Sequence, residues 1–278
     1  MAARPVGSAL AQAHRAARRL RSPVVAAVRD VAATVRRSQA RLRPQDVHAK
    51  GVGDYVTSVD LRGERQLRAA LLRLLPSAGF LGEETPAAEL DREWLWVVDP
   101  IDGTSNFAHR LPHFAVSVAL LWRRQPVLAC IHCAPENAVY VALDGAGAVR
   151  NGRSLRLPER PLDAAAIVGC QWHRGQQDLG FVAALQRRGN RIRTFGSTVT
   201  QLADVATGRL DANVQEQGRI WDFAAAGLVV VEAGGRFTDW RGRDVFPLAS
   251  LEVGHTATVA GGRPAHAAIV RLLRPFAG

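Results

Sequence analysis

Residues 96–107 read WVVDPIDGTSNF. An apolar, strand-like run ends in two aspartates three apart around a proline, then passes straight into Gly-Thr-Ser-Asn. A turn needs one Asp or Asn beside Gly, and a buried strand needs none. The second carboxylate therefore exceeds what local structure requires, and two acids so placed call for a positive charge between them.

Outward from this stretch, acids recur where strands end or helices begin: Asp60 after YVTSV, Glu83 and Glu84 after FL, and Asp222 after Trp221. Each has a structural alternative, since Asp60 and Asp222 suit helix N-caps and Glu83 suits a solvated turn. Taken together they form a carboxylate set on several elements, with no His or Cys among them. Such a set suits Mg²⁺, a hard cation that takes oxygen ligands, rather than Zn²⁺. Gly103 and Thr104 supply a complement, because first-turn amides left without intrahelical partners can face a phosphate oxygen. A metal beside an anion cradle points to phosphoryl chemistry.

The wider chain bounds these readings. Its 278 residues, 47% of them hydrophobic, suit one large or two modest globular domains. No run of 18 apolar residues and no secretory core segment is present, so a cytoplasmic protein without a membrane span is expected, with a transit peptide as the alternative. Cys130, Cys133 and Cys170 fit a reducing compartment. Cys130-Ile-His-Cys133 resembles half a zinc site, but positions three apart on a strand face opposite ways, so buried thiols are expected. The net charge of +11 concentrates in residues 1–50, where ten Arg and one Lys against two Asp give +9. An amphipathic helix with a solvated basic face accounts for this, and contact with nucleic acid is the alternative. The single lysine, Lys50, stands in HAKGVGDYVTSVD, where a compact ammonium is a candidate functional group.

Periodicity predicts helix over about residues 8–40, interrupted near Ser22-Pro23 as two helices or one kinked helix, then a loop from Pro44 to Gly53. Asp60 to Leu75 reads as a helix closed by Pro76. FLGEET reads as a short strand, and WLWVVDP, FAVSVALLW, PVLACIHCA and AVYVAL as a mostly antiparallel sheet. From about residue 160 strands and helices alternate: AAIVGC, Leu179–Arg188, IRTFG, Thr198–Ala206, LDANV, Phe223–Glu232 and RFTDW. The expected organisation is an α+β half over residues 1–158 carrying the metal site and an α/β half over 159–278 completing the pocket.

GEE at 82–84, DPIDGTSNF at 99–107 and WDFAAAGLVVVEAGG at 221–235 closely resemble the signature motifs of the inositol monophosphatase family of Mg²⁺-dependent, lithium-sensitive phosphatases. KGVGDYVTSVD, HRLPHFAVSVAL and FGSTVTQLADVATGRLDA extend the resemblance over about residues 45–262. It implies a layered α/β/α/β/α sugar-phosphatase-like fold, a homodimer and two or three Mg²⁺ ions. One ion would be held by Glu83, Asp99 and the Ile101 carbonyl, and a second by Asp99, Asp102 and Asp222. Glu83 would also lie near a third, weaker ion. Asp60 and Thr104 would polarise the attacking water, Glu84 would support the metal shell, the Gly103 and Thr104 amides would bind phosphate, and Lys50 would lie on a loop over the metals.

The substrate implied is a small phosphate monoester of inositol-1-phosphate, polyol or sugar phosphate type. Histidinol phosphate, a nucleotide 3′-phosphate, or an RNA- or protein-binding role with incidental activity are the alternatives. The chain departs from the family seven residues before Asp222, where the resemblance implies a sugar-contacting glutamate and Gln215 stands as the candidate substrate contact, with Glu216 unable simply to replace it. It departs again over Cys170 to Arg193, where selectivity and dimer contacts are expected and His173 and Arg174 are candidate substrate contacts.

Overall fold

A computed structural model describes residues 6–43, 46–51, 54–172, 179–252 and 254–277, and gives the backbone alone for residues 6–8, 47–51 and 54–56. The chain opens with one continuous helix, α1 (Val6–Gln39), which runs through Pro23. Pro23 removes one helical hydrogen bond. The apolar stripe of Ala13, Ala17, Val24, Val28, Val31 and Val35 is buried on both sides of it, so packing carries the helix past the proline. Arg15, Arg18, Arg19, Arg29 and Arg36 are exposed, as an amphipathic basic face requires.

The expected loop from Pro44 to Gly53 is corrected. β1 (Val47–Gly51) and β2 (Asp54–Thr57) pair antiparallel, Val47 opposite Thr57, while residues 44, 45, 52 and 53 lie outside the described residues. Val47, Tyr55, Val56 and Thr57 are strand formers, which suits this pairing. Helix α2 (Ser58–Leu74) follows directly.

β3 (Gly79–Gly82), β4 (Trp94–Asp102), the short helix α3 (Thr104–Ala108), β5 (Ala115–Trp122), β6 (Gln125–Cys133), β7 (Ala138–Leu143), β8 (Gly147–Arg150) and β9 (Arg153–Ser154) come next. The seven strands lie side by side in chain order, antiparallel apart from the parallel β3–β4 pair. Both faces of this sheet are covered, so its strands are apolar throughout rather than alternating. Cys130 and Cys133 are buried on opposite faces of β6, in separate core clusters, as the strand period demands.

The second half comprises β10 (Ile167–Gln171), α4 (Gly180–Arg187), β11 (Arg191–Arg193), α5 (Thr198–Ala206), β12 (Ala212–Gly218), α6 (Ile220–Glu232), β13 (Arg236–Asp239), β14 (Thr256–Gly261) and α7 (Arg263–Leu273). Its sheet runs β11-β10-β12-β14-β13, parallel on the β10 side and antiparallel around β14. β14 and α7 lie beyond the last element expected from periodicity. The expected strand IRTFG ends at Arg193, and Thr194–Gly196 leave the sheet.

Three apolar clusters define the layers. α1 and α2 pack on one face of the large sheet, with Trp96 and Phe80 in that core. Its other face meets α5 and α6, which also touch Phe237 and Ala260 of the smaller sheet. The outer face of the smaller sheet is closed by Phe181 and Leu185 of α4 and Ile269 and Leu273 of α7. The order is α/β/α/β/α, and the central helix layer serves both sheets. Helices α5 and α6 therefore begin where the large sheet ends, which is what brings their first turns to β4.

Candidate active site

The aspartates of DPID share one side because β4 is bulged. Asp99 pairs with Ser117 and Asp102 with Ala115, three residues against two. In a regular strand residues three apart face opposite ways; the extra residue at Pro100-Ile101 resets the alternation. Asp99 Oδ1 accepts a hydrogen bond from the Ile101 amide at 2.9 Å, which fixes the bulge from within. Gly103 then takes φ 88°, and a Cβ there would lie 2.7 Å from the His113 carbonyl, so only glycine fits.

Asp102 is docked on the first turn of α5. Its carboxylate accepts hydrogen bonds from the Thr198 amide at 3.2 Å, the Val199 amide at 3.0 Å and the Ser197 hydroxyl. Asp222 stands three residues into the turn that starts α6, and its Oδ2 accepts from the Arg219 amide at 2.8 Å. Asp60 has the same placement on α2: its Oδ2 accepts from the Thr57 amide at 2.8 Å and from the Thr57 hydroxyl. The N-cap expectation for Asp60 and Asp222 is thereby refined. Thr57 and Arg219 occupy the caps, and each aspartate uses one oxygen on its cap residue while keeping the other for the site.

Asp99, Asp102 and Asp222 each place a carboxylate oxygen within 4.8 Å of the others. Asp99 is held well above the usual carboxylate range, first by burial and then by the charges of Glu83, Asp102, Asp222 and Asp60. Burial pushes Asp102 up to about 6, opposed by its hydrogen bonds from Ser197 and α5. Asp222 rises to about 7 through burial and the Asp102 charge. Burial also raises Asp60, against hydrogen bonds from Thr57 and Thr104. An all-oxygen set whose members resist ionising together fits a hard divalent cation, which would stabilise the ionised forms.

Asp99, Asp102 and Asp222 line a cleft of about 700 Å³ together with Glu83, Ile101, Gly103 and Thr104, while Asp60 is buried behind Thr104 and does not line it. The Thr104 hydroxyl lies 2.9 Å from the Ile101 carbonyl and 3.2 Å from Asp60 Oδ1. Asn106 ties the far side together, donating to the His113 carbonyl at 2.7 Å and the Phe195 carbonyl at 2.6 Å. The His113 and Phe195 rings stack at 4.7 Å.

Not every candidate reaches the cleft. Glu84 does not line it; its amide donates to Glu64 Oε2 at 2.8 Å. Nor does Gln215 line it: its side chain is buried, and its amide donates to the Gln217 carbonyl at 3.1 Å. A second bulge explains this. Gln215 pairs with Thr258 and Gly218 with Thr256, so counting back from Asp222 fails to track the strand face, and Gln217 lines the cleft instead. Lys50 lies in β1, but its side chain, like residues His173 and Arg174, is outside the described residues.

Two buried polar residues that hold the site escaped the sequence reading. Glu64, one turn after Asp60, is fully buried and accepts hydrogen bonds from the Glu84 amide and the Thr85 hydroxyl, fixing the GEET turn. A Cβ at Gly82 would lie 2.4 Å from the Glu64 carboxylate, so the Gly of GEE makes room for it. Ser197 caps α5 while donating to Asp102. Its signal was present, a serine directly before a helical pattern.

The model of the inositol monophosphatase family matches residues 17–274. An inositol-1-monophosphatase of Rhizobium meliloti is 36% identical over 225 residues, covering 79% of this chain and 85% of that protein. A Nus factor SuhB of Pseudomonas aeruginosa is 36% identical over 259 residues, covering 90% of this chain and 93% of that protein. The crystal structure of extragenic suppressor protein suhB from Bartonella henselae superposes with a TM-score of 0.83 at 30% identity, covering 91% of this chain and 97% of that one.

Proposed function

The chain belongs to the inositol monophosphatase family and is a phosphatase of small phosphate monoesters; on that premise we propose how its residues divide the work. Glu83, Asp99, the Ile101 carbonyl, Asp102 and Asp222 would hold two or three Mg²⁺ ions. The observation that carries this is the Asp99–Asp102–Asp222 cluster, within 4.8 Å, beside the Thr104–Asp60 pair. Bound Mg²⁺ supplies charge that neutralises the phosphate dianion, acidifies water and stabilises the departing alkoxide.

Asp60 acts through Thr104. With Oδ2 engaged by Thr57, Oδ1 is left to accept the Thr104 proton, and the threonine oxygen then takes a proton from the attacking water. Glu64 holds the turn that presents Glu83, and Glu84 supports that turn. The Gly103 and Thr104 amides bind the phosphate, which is displaced in line by water without a covalent phosphoenzyme.

The substrate proposed is a polyol or sugar phosphate of inositol-1-phosphate type, and histidinol phosphate and nucleotide 3′-phosphates are the alternatives to score. Phosphate release from a panel of these esters, with Mg²⁺ and with chelator, tests the reading; inhibition by tens of millimolar lithium is expected. Among the described residues no helix is long and apolar enough to cross a membrane, and a cytoplasmic homodimer is the proposed form, to be checked by sedimentation. The exposed arginines of α1 favour one further reading, contact with nucleic acid, which salt-sensitive retention on RNA would reveal.

A further inference from the structure

The chain holds 36 Lys and Arg residues, yet of the described residues lining the cleft Arg219 alone carries a fixed positive charge. It is half-buried, and its guanidinium carbon lies 5.5 Å from the Trp221 ring centroid, stacked on a side chain that is itself buried. Among the described residues no carboxylate is in salt-bridge contact with it. Its neighbour Asp222 takes the Arg219 backbone amide at 2.8 Å, not the guanidinium. The backbone orients a cluster acid, and the side chain, whose charge also favours ionised Asp222 without a salt bridge to it, lines the cleft.

A guanidinium fixed on an aromatic ring presents a planar fork that matches a carboxylate or phosphate with two parallel hydrogen bonds. Gln171 also lines the cleft, and among the described residues its buried Oε1 has no hydrogen-bond partner. A buried acceptor without a donor is costly, and a ligand hydroxyl would satisfy it. Gln217 adds an amide to the same lining. The wall therefore offers an acceptor for a hydroxyl and a fork for an anion.

We propose that the substrate is a hydroxylated phosphate monoester carrying a second anionic group, and that Arg219 binds that group. The proposal rests on the phosphatase reading above and narrows it. The cleft then discriminates by charge on the alcohol: an ester lacking the second anion leaves the guanidinium facing solvent without its partner.

Matched ester pairs test this. Glycerol 2-phosphate and 2-phosphoglycerate differ by a carboxylate; fructose 1-phosphate and fructose 1,6-bisphosphate differ by a phosphate. The wild type is expected to favour the more anionic member of at least one pair by about tenfold or more in kcat/KM. Which pair shows the larger ratio tells a carboxylate from a phosphate. Arg219→Gln, which keeps the backbone amide on Asp222, is expected to bring that ratio to within about twofold of unity, with Arg219→Lys in between. Equal handling of both members of both pairs by the wild type would overturn the proposal. So would an Arg219→Gln enzyme slowed by one factor on both members, since Arg219 would then serve the phosphate that all four esters share. Absence of phosphate release from every ester would instead refute the phosphatase reading, and this narrower claim with it.

Discussion

The Thr104 hydroxyl stands 3.2 Å from Asp60 Oδ1 and 2.9 Å from the Ile101 carbonyl, two acceptors for one proton. Because Thr57 occupies the other Asp60 oxygen, the aspartate is oriented at the threonine and at nothing else described. A side chain so placed is positioned to pass a proton rather than to bind substrate. Thr104→Ala is expected to lower kcat by about a hundredfold with KM within a few-fold, and Thr104→Ser to restore most of it. Steady-state kinetics decides; a raised KM with unchanged kcat would move Thr104 to substrate binding.

The acid cluster makes the metal-free protein pH-sensitive. Folding raises Asp102 to about 6 and Asp222 to about 7, above the ordinary value of 3.8. Between these values the folded state keeps protons that the unfolded chain has released, so stability falls as pH rises through the window and the loss is complete above it. His266, held down to about 4 by burial, contributes the opposite slope below its ordinary 6.5. The comparison with Asp222→Asn isolates the carboxylate. In chelator at pH 7.5 the Asp222→Asn protein should melt a few degrees above wild type, and near pH 4.5 the gap should close. Mg²⁺ should raise the wild-type Tm more at pH 7.5 than at pH 5. A variant less stable at both pH values would contradict the account.

Glu64 is expected to act at a distance through the GEET turn. Glu64→Ala leaves the Glu84 amide and the Thr85 hydroxyl without their acceptor, at a cost of about 1–3 kcal/mol. Calorimetric titration should show weakened Mg²⁺ binding, because Glu83 is presented by that turn. Gly82→Ala should reproduce both effects, since its Cβ would displace the same carboxylate. Unchanged Mg²⁺ affinity in both folded variants would separate Glu64 from the site.

Gln215→Glu places a carboxylate in a buried position whose present hydrogen-bond partner is the Gln217 carbonyl, an acceptor. Acceptor facing acceptor destabilises, so Tm should fall by several degrees. The preference for myo-inositol 1-phosphate over glycerol 2-phosphate should stay within about twofold of wild type. A several-fold gain in that preference would put residue 215 back in the cleft.

What was legible in the sequence was chemistry more than geometry. Carboxylates in excess of local need marked Asp99 and Asp102, the recurrence of acids at element ends marked Asp222, and apolar runs marked the strands of the large sheet. The bulges at Pro100-Ile101 and after Gln215 carry no residue signature strong enough to read, yet each decides which side chains share a face. That is why the two aspartates converge although three residues apart, and why Gln215 turns away. Glu64 was hidden because a glutamate in a helical pattern reads as solvated surface, and its burial depends on the Gly82 strand packed against it.

Phosphate release is proposed to depend on a metal held by the acid cluster. Phosphate release from the ester panel, measured with Mg²⁺ and with chelator on wild type and on folded Asp99→Asn, tests it directly. The wild type is expected to release phosphate with Mg²⁺ alone, and Asp99→Asn to lose about a hundredfold or more at saturating Mg²⁺. Release that survives chelation, or near-normal turnover by the folded Asp99→Asn protein, would contradict it.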